Sequence, residues 1–310
     1  MKILVAGATG SVGRSLVPQL LKSNHEVTVL GRDMVKIFKI FGNSVAAVTW
    51  SQLKTIDAEN FQAIINLTGE TISQLRWTEK IKQRIIDSRV HAIKELFAWS
   101  ENATNKPHLY NASAIGTYGL QTTQDALPPR LTESTVIPFG NPTDFLSFVG
   151  QTWETAAQQG NAQNQAVTIM RFGVVLEKDE GILKKLAPAF ALGMGSIMGS
   201  GQQAFTWIQI DDLVAAIIFL LNHPDITGPV NLCAPECVSQ KEFAKTLASV
   251  MRKPIFITMP DFLIKILFGQ MGAELLLSGQ NIYPERLNQS GFNFTYKDIS
   301  SALKKELGSN

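Results

Sequence analysis

Seven residues near the amino terminus, Gly7-Ala8-Thr9-Gly10-Ser11-Val12-Gly13, set glycines three apart, directly after an apolar run and at the start of a helical pattern. That spacing suits the cradling of a pyrophosphate. One glycine makes a tight turn, another lets the backbone approach the phosphates, and the third lets the helix pack close to the strand. The helix start then offers free N–H groups and the positive end of its dipole to an anion. Thr9, Ser11 and Val12 fall within the same turn. The reading is dinucleotide binding, with a merely structural turn as the alternative.

A second position reports which dinucleotide. An acidic side chain at the end of the second strand holds a ribose 2′-hydroxyl in NAD-specific sites. Here Gly31 stands at that place and Arg32 follows it. A guanidinium pairs with a 2′-phosphate and stacks on adenine, so the expected cofactor is NADP(H). Asp33 comes next and leaves a ribose contact open. The alternative for Arg32 is a solvated side chain at a turn.

Groups for proton transfer are few. Ser113 closes the fifth strand, where its hydroxyl could orient a substrate carbonyl or simply satisfy local backbone. Tyr118 is the nearest phenol and the candidate proton donor, with packing as its other role. Glu70 follows the fourth strand and could bond ribose or substrate, or cap the next turn. Arg84 and Arg89 lie about 140° apart on one helix, so they do not form a single stripe. The four histidines are scattered, and Pro235 separates Cys233 from Cys237. No metal is expected, and a serine hydrolase would need a nucleophile elbow that is missing.

The elements that must carry these groups alternate. Strand patterns at 2–6, 26–30, 45–50, 62–67, 108–112 and 166–172 are interleaved with helical ones at 11–22, 78–102 and 211–221. Thr78 and Asp211 are expected N-caps. Such alternation means an α/β fold, a doubly wound parallel sheet covered on both faces. Residues 116–142 and 193–206 lack a period and read as long loops, the second a glycine-rich lid. After Pro254 the pattern changes to short helices. The expected division is a dinucleotide-binding domain over 1–235 and a smaller substrate-side lobe over 236–310.

Composition excludes more than it identifies. The chain has 310 residues, 45% apolar, with 28 Lys+Arg against 26 Asp+Glu. A charged fraction of 17% argues against disorder. A balance of +2 gives no basic stripe for nucleic acid. The longest apolar stretch, 213–221, is too short to span a bilayer, and residues 1–6 are too short for a signal-peptide core. Two cysteines suggest a reducing compartment. The expectation is a cytoplasmic protein without a membrane or nucleic-acid partner.

The Gly7-x-x-Gly10-x-x-Gly13 spacing resembles the extended short-chain dehydrogenases/reductases. Further stretches narrow the resemblance. They include Asn66-Leu67-Thr68-Gly69-Glu70, Arg76-Trp77-Thr78-Glu79, Ala112-Ser113-Ala114 and Arg171-Phe172-Gly173-Val174-Val175-Leu176. Others are Trp207-Ile208-Gln209-Ile210-Asp211-Asp212 and Ser278-Gly279-Gln280. Together they are similar to an atypical branch called "epimerase family" proteins, nucleotide-sugar epimerases by name, with a C-terminal domain of unknown function. The resemblance implies an NAD(P)-binding Rossmann-type fold. It implies cofactor contacts from Leu67, Thr68, Gly69, Glu70, Arg84, Arg89 and Arg171. A homodimer through the long helices is also open on this ground.

The same resemblance exposes a gap. Extended members use a Tyr and a Lys four apart on the helix after the long loop, for proton exchange and ribose binding. By alignment on Glu154 those positions fall at Leu146 and Gly150. Gln209 stands where relatives usually have His. Two functions follow: an NADP-dependent oxidoreductase or epimerase-like enzyme with Ser113 or Tyr118 in the catalytic role and an unknown small-molecule substrate, or a non-catalytic NADPH sensor, since some relatives are called cell-division inhibitors.

Overall fold

A computed structural model describes residues 1–73, 76–121, 127–162 and 164–308. The first half alternates as the sequence predicts, with one helix, α2, that the pattern did not show: β1 (Lys2–Ala6), α1 (Ser11–Lys22), β2 (Glu26–Gly31), α2 (Met34–Phe41), β3 (Ala46–Thr49), β4 (Ala63–Asn66), α3 (Glu79–Ser100), β5 (His108–Ala114), α4 (Phe145–Ala162) and β6 (Val167–Phe172). The second half holds β7 (Val174–Leu176), α5 (Gly181–Ala191), β8 (Ser196–Met198), β9 (Ala204–Gln209), α6 (Ile210–Asn222), β10 (Gly228–Leu232), β11 (Cys237–Ser239) and α7 (Gln240–Val250). Then come β12 (Ile257–Met259), α8 (Asp261–Leu275), α9 (Glu285–Gln289) and α10 (Ile299–Leu307).

Seven strands make one parallel sheet in the order β10-β6-β5-β4-β1-β2-β3. The order reverses beside β1, and in such sheets ligands sit outside the strands' carboxyl ends at that reversal. The two-residue period of a strand sorts β1 between two cores. Ile3 and Val5 pack on one face with Leu16 and Leu20 of α1 and Leu213 and Ile217 of α6. Leu4 and Ala6 pack on the other with Ile93 and Leu96 of α3 and Trp153 of α4.

The sequence pattern missed β10. Its Gly228-Pro229 start is unfavourable inside a sheet, and the strand is tolerated because it is an edge, paired among the described residues with β6 alone. Two expectations need correction. The 193–206 segment is not wholly loop, since it contains β8, which pairs in parallel with β12. That pairing also places a strand after Pro254, where only helices were expected. Residues 122–126 of the predicted 116–142 loop lie outside the described residues; beyond them, Gln121 and Leu131 bridge to Gly279 and Ile282. Leu176, Leu183, Trp207, Phe243, Leu247 and Leu303 share a third core, so chain from both sides of residue 236 packs together there.

Candidate functional site

The β1–α1 turn is as tight as its glycines require. Gly7 has φ +80°, and a Cβ there would lie 2.7 Å from the Leu67 carbonyl group. A Cβ on Gly13 would lie 2.4 Å from Ala8 Cα. Gly10 precedes α1 in extended conformation and has no side chain to cap the helix, so no N-cap group competes for the first N–H donors. A phosphate fits such a place. Val12 packs into the core beside the turn. The Ser11 hydroxyl donates to Glu177, as does that of Ser15 at 3.1 Å, and Arg14 pairs with Glu180. These contacts tie α1 to the segment after β7.

This turn forms one wall of a cleft of about 920 Å³ along the carboxyl ends of β1, β2 and β4. Gly7, Thr9 and Gly10 line it from one side, and Leu67, Thr68, Gly69 and Glu70 from another. Buried Asn66 fixes that second wall. Its Oδ1 accepts from the Thr68 amide at 3.2 Å and from the Thr68 hydroxyl at 2.6 Å, while its Nδ2 donates to Asn111 Oδ1 at 2.7 Å. Arg32 lines the cleft at the end of β2 together with Lys36, whose role sequence reasoning missed. Asp33 is occupied otherwise: it caps α2 by accepting from the Lys36 amide at 3.0 Å.

Helix α3 forms the third wall. It begins where Thr78 caps it, accepting from the Ile81 amide at 3.3 Å. Arg84, Ser88, His91 and Ala92 face the cleft. Their spacing of four, seven and eight residues is one helical stripe, a signal that would have revealed Ser88 and His91. Trp50, also missed, stands just past the end of β3.

Arg84 and Arg89 converge on one residue in spite of their separation around the helix. Arg84 grips the Glu70 carboxylate with two nitrogens, one at 3.0 Å, and this bonding raises the Arg84 pKa. Arg89 Nη1 donates to the Glu70 carbonyl at 3.1 Å and to the Ile85 carbonyl at 2.8 Å. Its guanidinium lies under Gly69, where a Cβ would approach Cζ to 3.0 Å, and over the Trp153 ring at 4.7 Å. Burial lowers the Arg89 pKa to about 10. Arg89 does not line the cleft; it braces the backbone that does.

Ser113 and Arg171 lie apart from the cleft lining, in a buried cluster at the carboxyl ends of β5 and β6. Ser113 Oγ donates to Glu154 Oε1 at 2.7 Å. Arg171 holds the same carboxylate bidentately, Nε to Oε1 at 2.8 Å and Nη2 to Oε2 at 2.7 Å. Burial opposes the Arg171 charge, but Glu154 outweighs it and the pKa rises. Arg171 Nη1 makes no hydrogen bond of ordinary geometry among the described residues and is turned towards Tyr118. Its Cζ sits 4.7 Å from the centre of the Tyr118 ring. The Tyr118 hydroxyl lies 3.0 Å from both the Thr132 carbonyl and Asn231 Oδ1. Burial pushes the phenol up to about 12, so it is a weak acid already engaged.

Of the positions that would carry Tyr and Lys, that of Lys is closed and that of Tyr holds an apolar side chain. Gly150 lies flush against Thr117, and a Cβ there would meet Thr117 Cβ at 2.7 Å. Leu146 joins an apolar cluster with Trp77, Val149, Phe268 and Met271, which brings α8 over the start of α4. Asp211 is not the cap of α6. Gln209 is, its Oε1 accepting from the amides of Asp211 at 2.5 Å and Asp212 at 3.2 Å. Its Nε2 donates to Glu306 at 2.7 Å. An amide cap serves here because its other end reaches a buried carboxylate. Among the described residues, no group of three His, Cys, Asp or Glu could hold a metal.

Comparison with known proteins accords with this geometry. A model described as the NAD dependent epimerase/dehydratase family matches residues 3–233, and a domain of unknown function, DUF1731, matches residues 259–306. Epimerase family protein SAR0825 of Staphylococcus aureus strain MRSA252 is 34% identical over 306 residues, 97% of each chain. The Arabidopsis thaliana protein called epimerase family protein SDR39U1 homolog, chloroplastic, is 35% identical over 313 residues, 98% of this chain and 86% of that one. The crystal structure of human epimerase family protein SDR39U1 (isoform 2) with NADPH matches with TM-score 0.85 at 28% identity, covering 99% of both chains. With the glycine turn, the sheet order and these matches in agreement, the chain belongs to the NAD dependent epimerase/dehydratase family.

Proposed function

We propose that this chain binds NADP(H) in the cleft and is an oxidoreductase of the short-chain dehydrogenase/reductase type, acting on a small molecule yet to be identified. The observation that carries this reading is the basic pair lining the cleft, Arg32 just after β2, where a 2′-hydroxyl site would have an acid, and Lys36 in the first turn of α2. The human relative crystallised with NADPH supports it. The glycine turn fits the group, since a Cβ at Gly7 or Gly13 would run into the Leu67 or Ala8 backbone, and only glycines keep this turn tight below an uncapped helix N-terminus.

In this reading the α1 N-terminus and Gly10 receive the pyrophosphate, with Thr9 beside them. Arg32 and Lys36 neutralise the 2′-phosphate. The Leu67-Thr68-Gly69 backbone lines the opposite wall, with Glu70 and Arg84 paired at its rim and Arg89 holding it in place. When bound, the nicotinamide supplies or accepts a hydride. Ser113 gives its own proton to Glu154, so we assign its oxygen to accept from a substrate hydroxyl, and water to supply or take the proton that balances hydride transfer. Tyr118 is assigned to packing Arg171 rather than to proton donation. NADPH oxidation followed against a panel of carbonyl compounds and nucleotide sugars, with Ser113→Ala as control, tests this function.

One observation favours a second reading. The closed Gly150–Thr117 contact leaves no room for the lysine of the usual proton machinery. Tight NADPH binding with no turnover across that panel would make the chain a cofactor sensor instead.

A further inference from the structure

Eight of the fifteen strongly exposed large apolar side chains among the described residues fall in two short segments, 192–194 and 256–267. Phe256 is 86% exposed, Leu192 73%, Phe262 66%, Ile266 62% and Met194 54%. The two segments are neighbours. β12 pairs with β8, and a Cβ on Gly193 would lie 4.0 Å from Pro254. Gly269 breaks α8 with φ +59°. The half before the break, 261–268, is apolar on every side except for Asp261 and Lys265. Only Ile264 is fully buried there. A helix apolar all round is normally covered, and a cluster of this kind marks an interaction face.

The charge around the face says what covers it. Segment 251–268 carries Arg252, Lys253 and Lys265 against one acid, Asp261, and Arg76 donates to the Ile266 and Leu267 carbonyls, in a chain balanced overall to within two charges. All four basic residues are exposed. Two such rims facing each other across a two-fold axis would repel, which argues against a second copy. The apolar tips project, so a rigid protein partner would need a preformed pocket for each. A bilayer interface receives Phe and Leu tips without pockets and supplies anionic headgroups to Lys and Arg.

We propose, in place of the expectation of no membrane partner, that this face, residues 192–194 with 256 and the first half of α8, rests on an anionic lipid surface. It lies on the surface and does not span, since no helix among the described residues is long and apolar enough to cross a membrane. The test is co-sedimentation of the full chain with phosphatidylcholine vesicles, alone or mixed with phosphatidylserine, at low and high salt. Binding is expected to the mixed vesicles, with release by salt. Phe262→Ser with Ile266→Ser should abolish it, and Arg252→Glu with Lys253→Glu should weaken it about tenfold or more. Sedimentation velocity on the same variants reads self-association, and their unfolding temperatures confirm that the fold is kept. Failure of the wild type to bind mixed vesicles overturns the proposal, as does binding that these variants leave unchanged. A dimer abolished by Phe262→Ser would also overturn it and assign the face to a second copy.

Discussion

Gly150 on α4 and Thr117 after β5 touch so closely that a Cβ on the glycine would stand 2.7 Å from Thr117 Cβ and 2.8 Å from its Cα. The lysine position of the extended short-chain dehydrogenases/reductases is therefore filled by neighbouring backbone. Leu146, at the matching tyrosine position, is half-buried and packs against an apolar cluster from α3, α4 and α8.

Gly150→Ala should destabilise the fold by about 1–3 kcal/mol, the usual result of overpacking. Gly150→Lys should be worse, and Leu146→Tyr with Gly150→Lys should not create epimerase turnover. Thermal unfolding and product analysis check both; an unchanged unfolding temperature for Gly150→Ala would show that the helix yields.

Glu154 is fully buried and compensates Arg171 while accepting from Ser113. Glu154→Ala leaves a buried guanidinium uncompensated and should destabilise by about 3–5 kcal/mol. Denaturant unfolding measures this. Ser113→Ala removes one donor from the same carboxylate and should cost about 1 kcal/mol, so a large loss of turnover in that variant would reflect chemistry rather than folding.

His108, on β5, lies 2.8 Å from the Thr168 hydroxyl and is lowered by burial from 6.5 to about 4. The folded chain keeps it neutral, whereas the unfolded chain protonates it near 6.5. Its contribution is thus full above pH 6.5 and falls away as the pH drops towards 4. The gap corresponds to on the order of 3 kcal/mol. Unfolding free energies measured from pH 7 to 4 should decline in that window, and His108→Gln should flatten the decline.

Much of this was legible in the sequence because it rests on short-range rules. The glycine turn, the six strand patterns and the Thr78 cap all follow from local sterics and periodicity. β10 was not legible, because its Gly-Pro start depends on an edge position that only tertiary packing supplies. Nor was the Gln209 cap, which needs Glu306 from the far end of the chain. The cleft walls from α3 were half legible: Arg84 was found as a charge, while Ser88 and His91 required reading its helical face. Tyr118 looked like an available phenol, and only the fold brings Arg171, Thr132 and Asn231 around it.

Arg32→Ala and Lys36→Ala should each weaken NADPH binding while leaving NADH binding nearly unchanged, since each loses a charge-assisted contact to the 2′-phosphate alone. The most direct measurement is calorimetric titration of the purified chain with NADPH and with NADH at one salt concentration. NADPH should bind at least about tenfold more tightly, with the difference abolished in Arg32→Ala/Lys36→Ala. Equal affinity of the unaltered chain for the two cofactors would contradict the assignment of this cleft to NADP(H).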